Sequence, residues 1–215
     1  MKGDIIIVEE HHRSAARAIA AAYLPEIENR ECRSMLTVAG ESGSGKSETA
    51  RAVADELEAH GIPCVVLQQD DYFVLPPRTN DRARRANLLW VGPTEVRLDL
   101  LDEHLQAARD GRDHLVKPLV IYEEDHIDEE TVDLAGARVV IAEGTYTSLL
   151  ANVDRRVFIA RHRLETLEHR RKRGREQLDP FIERVLEIEH GIIAPHRELA
   201  DAVITSDYRV ELVER

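Results

Sequence analysis

Short apolar runs alternate along the chain with segments whose apolar residues recur every three or four positions. The apolar runs have the composition of buried strands and lie at Met35–Ala39, Pro63–Leu67, Arg138–Ala142, Val157–Ala160 and Ala202–Thr205. The segments between most of them have the spacing of helices with one buried face. This alternation favours a mainly parallel sheet covered by helices on both faces. We therefore expect an α/β fold in three layers around a five-stranded sheet.

The helical spacing is clearest in three segments. Ala50–Leu57 places four apolar residues on one face, and His60–Pro63 ends that helix. The same spacing predicts helices over Leu98–Ala108 and Pro180–Ile192. Each of these helices follows or precedes a predicted strand, as expected for a repeated strand–helix order.

Residues 1–34 form a predicted extension packed on a main domain of residues 35–215. Ile5–Val8 has the pattern of a strand, and the helix after it is expected to end at Pro25. The extension either stabilises a homo-oligomer or covers a sheet edge. We expect Glu9–His12 to be a solvated helix start rather than a metal site, because adjacent helical residues point in different directions.

Composition narrows the class of protein. With 215 residues, the chain is long enough to bury a large core. Its net charge of −12 argues against an extended nucleic-acid interface. Its apolar runs are too short for a membrane helix or a signal peptide. Cys32 and Cys64 fit buried free thiols in a reducing compartment, so we expect a soluble cytoplasmic protein.

A glycine-rich segment follows the first predicted strand and opens a predicted helix. Gly40–Ser47 matches the phosphate-loop pattern G-x-x-x-x-G-K-[ST] in the context that this pattern requires. Backbone N–H groups of such a loop face a triphosphate, Lys46 reaches its β- and γ-phosphates, and the Ser47 hydroxyl binds Mg²⁺. The sequence therefore predicts a nucleoside triphosphate site. Its predicted residues are Gly40, Glu41, Ser42, Gly43, Ser44, Gly45, Lys46, Ser47 and Thr49.

Acidic residues follow two other predicted strands. Asp70 and Asp71 come after the second strand, and Glu143 ends the strand that begins near Arg138. Ligands of open α/β sheets bind at the carboxyl ends of the strands. A carboxylate there either accepts a proton from an acceptor hydroxyl or holds Mg²⁺, whereas the alternative for both aspartates is a turn or helix cap. Glu143 is a candidate Mg²⁺ ligand together with Ser47 and Asp70.

The order of these segments resembles the uridine kinase and phosphoribulokinase family of P-loop kinases, over residues 35 to about 208. Gln69–Phe73 is similar to the family's Gln-Asp-Ser-Phe-Tyr stretch, which implies that Asp70 is the catalytic base. Tyr122 and His126 resemble the segment around the nucleobase, and Glu143 fits the family's Glu-Gly. The resemblance implies ATP and Mg²⁺ as cofactors and a small-molecule acceptor. The substrate-binding residues it suggests are Asp70, Tyr72, Phe73, Arg78, Tyr122, His126 and Glu143.

A basic segment near residue 170 resembles the family's arginine-rich lid. The resemblance places a lid at about residues 161–179, with Arg170 and Arg173 assisting catalysis and Arg175 contacting the nucleotide. Arginine suits this role because its planar guanidinium donates several hydrogen bonds to phosphate oxygens. The expected activity is therefore phosphoryl transfer from ATP to a hydroxyl group, with Lys46 and Asp70 as catalytic residues.

The segments expected to recognise the acceptor depart from the family's pattern. Trp90–Asp99 lacks the aspartates by which uridine kinases hold ribose, and only Glu95 or Asp99 is placed to replace them. The run Arg78–Arg85 is unusually basic for a site that receives a neutral nucleoside. A nucleoside is the first choice. A phosphorylated or acidic sugar-like metabolite, or a nucleotide-binding regulator without a small acceptor, are the alternatives.

Overall fold

The computed structural model describes residues 6–161 and 179–214. The helices are α1 (Glu10–Glu28), α2 (Lys46–Ala59), α3 (Pro77–Ala86), α4 (Leu98–Arg109) and α5 (Pro180–Ile193). The strands are β1 (Ser34–Gly40), β2 (Cys64–Gln68), β3 (His114–Ile121), β4 (His126–Asp133), β5 (Val139–Gly144), β6 (Arg155–Ile159), β7 (Ala202–Ile204) and β8 (Val210–Leu212). A short 3₁₀ turn, Gln69–Tyr72, follows β2.

The main sheet confirms the predicted α/β class. Its strand order is β2-β5-β1-β6-β7-β8, and every neighbouring pair is parallel except β7 with β8. The predicted number of five strands is wrong by one, because the short and largely exposed β8 carries no apolar run. Strands β3 and β4 form a separate antiparallel hairpin that the sequence did not predict.

The register of the central strands positions the site. Each residue of β1 and β5 is buried, and Val38 lies opposite Glu143 in the parallel pair. On the other side of β1, Gly40 lies opposite Ile159 of β6. The carboxyl ends of these strands therefore meet at one sheet edge, with the glycine-rich loop and Glu143 beside each other.

The N-terminal extension differs from its prediction in two respects. Residues 6–8 belong to no strand, and α1 continues through Pro25 to Glu28. The proline costs one backbone hydrogen bond in the last turns, while Tyr23 and Ile27 on either side of it are buried in the core shared with α2. Tertiary packing therefore extends the helix beyond the point at which the local pattern ends it.

The structure also bears on the expectations for the two cysteines and for membrane helices. Both cysteines are free, but Cys32 is exposed and Cys64 is half-buried, so the prediction of two buried thiols is wrong for Cys32. In the part of the chain that the structure describes, no helix is long and apolar enough to cross a membrane.

Arg33 joins three parts of the fold just before β1. Its guanidinium donates to the carbonyl oxygens of Ala108, Arg112, Leu134 and Ala137 at 2.7–3.0 Å and pairs with Asp113 at 2.7 Å. These bonds tie the end of α4 to both ends of the hairpin and to the approach to β5. The planar fork of arginine makes this set possible, and the single ammonium of lysine does not reproduce it.

We expect Arg33→Lys to lower the free energy of unfolding by about 2 kcal/mol or more, since several charge-assisted hydrogen bonds are lost together. Urea unfolding measures this loss. Arg112→Lys, at an exposed side chain nearby, is the control and should change the free energy by less than about 0.5 kcal/mol. Equal effects of the two substitutions would contradict the role given to Arg33.

Candidate active site

The loop between β1 and α2 has the backbone of a phosphate cradle. Gly45 has φ +95°, which glycine adopts without strain, and it directly precedes α2. At Gly40, a Cβ atom would lie 2.8 Å from Ser44 Oγ and 2.9 Å from the Ile159 carbonyl oxygen. Glycine is therefore required at both positions for the loop to turn tightly at the start of a helix.

Polar groups in this loop fit a triphosphate. Lys46 Nζ donates to the Glu41 carbonyl oxygen at 3.0 Å, which keeps the ammonium at the loop. The hydroxyls of Ser44 and Thr49 are buried without a hydrogen-bond partner among the described residues. Buried hydroxyls normally have a partner, and phosphate oxygens would supply one. The loop therefore suits the predicted nucleotide.

The donor set next to the loop fits Mg²⁺. Ser47 Oγ donates to Glu143 Oε1 at 2.9 Å, and Gln68 Nε2 lies 3.3 Å from the same oxygen. Mg²⁺ prefers oxygen ligands such as a hydroxyl and a carboxylate. Burial raises the pKa of Glu143 to about 7, and the negative charge of Asp70 adds to the effect. A cation bound here would offset both the burial of the Glu143 carboxylate and its repulsion by Asp70.

The pKa of Glu143 has a consequence for stability without Mg²⁺. Between pH 4.5 and about 7 the folded protein keeps a proton on Glu143 that the unfolded chain has lost, so this residue destabilises the fold as pH rises through that interval. The shift corresponds to about 3 kcal/mol. We expect Glu143→Gln to remove this part of the pH dependence.

Melting temperatures of the two proteins in a chelating buffer, measured from pH 4.5 to 8, test this expectation. The stability of Glu143→Gln relative to the original protein should increase with pH and level off above about pH 7. A difference that does not depend on pH would contradict the perturbed pKa.

The two aspartates after β2 have different positions. Asp70 is half-buried in the 3₁₀ turn, and its charge acts on Glu143, so the two carboxylates lie at the same sheet edge. Asp71 is buried and accepts hydrogen bonds from Lys117 Nζ at 2.7 Å and from the Val120 backbone N–H at 3.0 Å. Asp71 therefore fastens the β3–β4 hairpin, which leaves Asp70 as the candidate base.

Several contacts of this region lack a signal in the sequence. The side chain of Gln69 lies over Gly144, where a Cβ atom would be 2.2 Å from Gln69 Cβ, and Gln69 Oε1 accepts from the Tyr146 backbone N–H at 2.7 Å. His190 of α5 is 2.6 Å from the carboxylate of Glu41 in the phosphate loop. These contacts join residues that are far apart in the chain, so local patterns do not indicate them.

Two residues suggested for substrate binding lie in different environments. Tyr72 is fully buried, and its hydroxyl is 2.8 Å from His104 Nδ1, so the structure places it in the core rather than at an acceptor site. Phe73 is half-buried and pairs with Val96 in an isolated β-bridge. Of the two, only Phe73 is partly open to a ligand.

The other suggested substrate residues gather at the turn of the hairpin. Arg78 donates to the Glu123 carbonyl oxygen, and Asp125 accepts from the backbone N–H groups of Arg78 at 2.6 Å and Thr79 at 3.2 Å. Tyr122 and His126 flank this turn and are exposed. The hairpin is therefore held at two places. Asp71, next to the candidate base, binds strand β3, and Asp125 binds the start of α3.

Arg78–Arg85 is occupied by internal contacts. Besides Arg78, Arg82 donates to Thr79 Oγ1 and lies near Asp125, and Arg85 pairs with Asp81 and Asp179 at 2.8 and 2.9 Å. Arg84 pairs with Glu95 and Glu189. Each of these arginines already has a partner within the chain. This pairing argues against an anionic acceptor bound by the run.

Glu95 is not available to hold a ribose. It is fully buried and accepts hydrogen bonds from Arg84, from Asn80 at 2.9 Å and from the Gly92 backbone N–H at 2.9 Å. Trp90 donates to Asn80 Oδ1 at 2.8 Å and belongs to the same network. This part of the segment after α3 is therefore structural.

The lid arginines Arg170, Arg173 and Arg175 lie outside the described residues.

Comparison with known proteins agrees with this geometry. The model of the "Phosphoribulokinase / Uridine kinase family" matches residues 35–163, from β1 to just beyond β6. The chain belongs to the phosphoribulokinase and uridine kinase family. Kinase chemistry and a small-molecule substrate follow from this membership, and the predicted family resemblance is confirmed.

Individual relatives differ in acceptor. The chain is 30% identical over 193 residues to the bifunctional alpha-galactosidase/sucrose kinase AgaSK of Mediterraneibacter gnavus, which covers 83% of this chain but only 21% of that protein. It is 25% identical over 182 residues to a uridine kinase of Bacillus cereus (strain B4264), covering 79% of this chain and 84% of that one.

A solved structure confirms the fold. The structure of a possible uridine kinase from Bacillus stearothermophilus superimposes with a TM-score of 0.64 at 19% identity, covering 89% of this chain and 97% of that one. At this identity the likeness concerns the fold alone.

Proposed function

We propose that the chain is an ATP-dependent kinase that transfers the γ-phosphoryl group to a hydroxyl of a nucleoside. The observation that carries the proposal is the arrangement at one sheet edge of a lysine, an oxygen donor pair and a carboxylate. These are Lys46, Ser47 with Glu143 at 2.9 Å, and Asp70. Phosphoryl transfer depends mostly on such positioning and charge stabilisation.

In this proposal the residues have separate roles. Backbone N–H groups of Gly40–Ser47 and the Lys46 ammonium hold the phosphates and stabilise charge on the transferred group. Asp70 orients the acceptor hydroxyl and accepts its proton as the new P–O bond forms. Mg²⁺, held by Ser47 and Glu143, would neutralise phosphate charge. ADP leaves, and the acceptor becomes a phosphate ester.

The arginine partners support a neutral acceptor. Four arginines of this run have partners within the described part of the chain, which argues against an anion site there. They are Arg78, Arg82, Arg84 and Arg85. Tyr122 and His126, exposed at the hairpin turn, offer the aromatic and polar contacts that a nucleobase uses. A neutral sugar is the second candidate. Glu95 is bound to Arg84 and so is not available to hold a ribose, and a relative at 30% identity is a bifunctional alpha-galactosidase/sucrose kinase.

A coupled assay of ADP release with Mg-ATP tests the function. Nucleosides, neutral sugars, sugar phosphates and glycerate are compared, with Lys46→Ala as the blank. Release that depends on a nucleoside would support the proposal, and release with sugars alone would replace it by the second candidate. Acceptor-independent release, or a response to anionic acceptors only, would overturn both.

A further inference from the structure

The start of α1 contacts the phosphate loop. A Cβ atom on Gly45 would lie 3.0 Å from His12 Nε2 and 3.2 Å from the hydroxyl of Tyr208. His12 is buried in the first turns of α1, and Tyr208 lies in the turn between β7 and β8. Both residues lie outside the range that the family model matches, residues 35–163. The N-terminal helix therefore adds side chains to the nucleotide loop.

Three rings and one guanidinium pack together at this point. The ring centre of His11 is 4.0 Å from those of both His12 and Tyr208. The guanidinium of Arg161 lies 5.0 Å from the ring centre of Tyr208, and Arg161 donates to its hydroxyl at 2.5 Å. We name His11, His12, Tyr208 and Arg161 the ring cluster. Arg161 follows β6, so the cluster lies at the same sheet edge as the phosphate loop.

A groove opens beside the cluster. It has a volume of about 670 Å³, and its lining includes His11, Ser14 and Tyr208. Two ion pairs, Arg17 with Glu10 and Arg209 with Asp207, also line it. Small-molecule sites commonly have volumes of this order and combine ring faces with a few polar groups. Tyr208 therefore belongs to both places, since its hydroxyl approaches Gly45 and its side chain lines the groove.

The hydrogen bonds of His12 argue against a metal at this position. The ligand atoms of Glu9, His11 and His12 lie within 4.8 Å of one another, so the expectation that they point apart is wrong. However, His12 Nδ1 accepts from the Glu9 backbone N–H at 3.1 Å, so the neutral ring carries its proton on Nε2. That nitrogen is 3.2 Å from His11 Nε2 and acts as a donor rather than as a metal ligand.

We infer that the ring cluster and its groove hold the base of the nucleotide whose phosphates occupy the Gly40–Ser47 loop. This inference rests on the proposed function. A base is joined to its phosphates through one ribose, and the cluster begins in contact with the last glycine of the loop. Histidine, tyrosine and arginine all stack on bases, and they are tolerant of base identity because every base has a π face.

The test compares a ligand that has a base with a ligand that has only phosphates. Binding of Mg-ATP and of inorganic tripolyphosphate is measured by calorimetry for the full chain and for His11→Ala, Tyr208→Ala and His11→Phe. We expect each alanine variant to bind ATP at least about 10-fold more weakly, with tripolyphosphate affinity within about 3-fold of the original. His11→Phe retains a ring and should keep most of the ATP affinity.

Arg13→Ala is the matched control, because Arg13 is exposed on the same helix and does not line the groove. It should leave both affinities unchanged. An unchanged ratio of ATP to tripolyphosphate affinity in both alanine variants would overturn the inference while ATP binding by the original protein still supports the proposed function. Failure of the original protein to bind ATP would overturn both.

Discussion

Asp70→Asn should lower kcat at least about 100-fold at saturating substrate. The amide cannot accept the proton of the acceptor hydroxyl, and its loss as a base should cost a few kcal/mol of barrier lowering. ATP affinity should change little, since the phosphates are held by Gly40–Ser47. The removal of a negative charge near Glu143 should also lower the pKa of that carboxyl, because Asp70 contributes to raising it.

The neighbouring Asp71→Asn provides the contrast. Asp71 holds the hairpin through Lys117 and Val120, so its substitution should lower the melting temperature. The folded Asp71→Asn protein should retain far more activity than Asp70→Asn. A kcat of Asp70→Asn within a few-fold of the original would exclude Asp70 as the base. Steady-state kinetics with both substrates varied distinguishes these results.

Lys46→Ala should also lower turnover by about 100-fold or more, and here ATP binding should weaken as well. The Glu41 carbonyl oxygen holds the ammonium at the loop, where it would face the phosphate oxygens of a bound nucleotide both before and during transfer. The ammonium is already in place before the reaction, so it needs no rearrangement during transfer. Loss of Lys46 should therefore weaken ATP binding and slow phosphoryl transfer.

Arg51→Ala controls for loss of a cation on the same helix. Arg51 is exposed on α2 and pairs with Asp55 at 2.6 Å, so its removal should change kcat and the ATP dissociation constant by less than about 3-fold. Kinetics together with nucleotide titration check both values. Similar losses in the two variants would mean that general electrostatics, rather than the position of Lys46, supports the reaction.

Local patterns were sufficient for most of the fold. The apolar runs and the glycine-rich loop placed β1, β2, β5, β6 and β7 and the helix after the loop, because burial and helix faces leave periodic signals. The β3–β4 hairpin was missed. Its strand β4 is mostly polar, and in β3 a lysine, Lys117, stands at a buried position where the strand pattern expects an apolar residue. Lys117 can be buried because its charge is paired with Asp71 and Glu130.

The site was predictable where function depends on a short motif and less so where it depends on distant contacts. The nucleotide loop, Asp70 and Glu143 were named from sequence and lie at one edge of the sheet. The burial of Tyr72 and the pairing of Glu95 with Arg84 were not predictable, since each depends on a partner elsewhere in the fold.

The contacts of α5 limit how this kinase can change its acceptor. One helix holds Glu41 of the phosphate loop through His190 and holds α3 through Glu189, with Asp179 at its start bound to Arg85. Substitutions in α3 would therefore disturb the nucleotide loop through a shared support. At the hairpin turn, Asp125 bonds the first residues of α3, whereas the side chains of Tyr122 and His126 are exposed. Specificity is therefore better redesigned at those two exposed positions, because exposed loop residues tolerate substitution more readily than the residues that support the nucleotide loop.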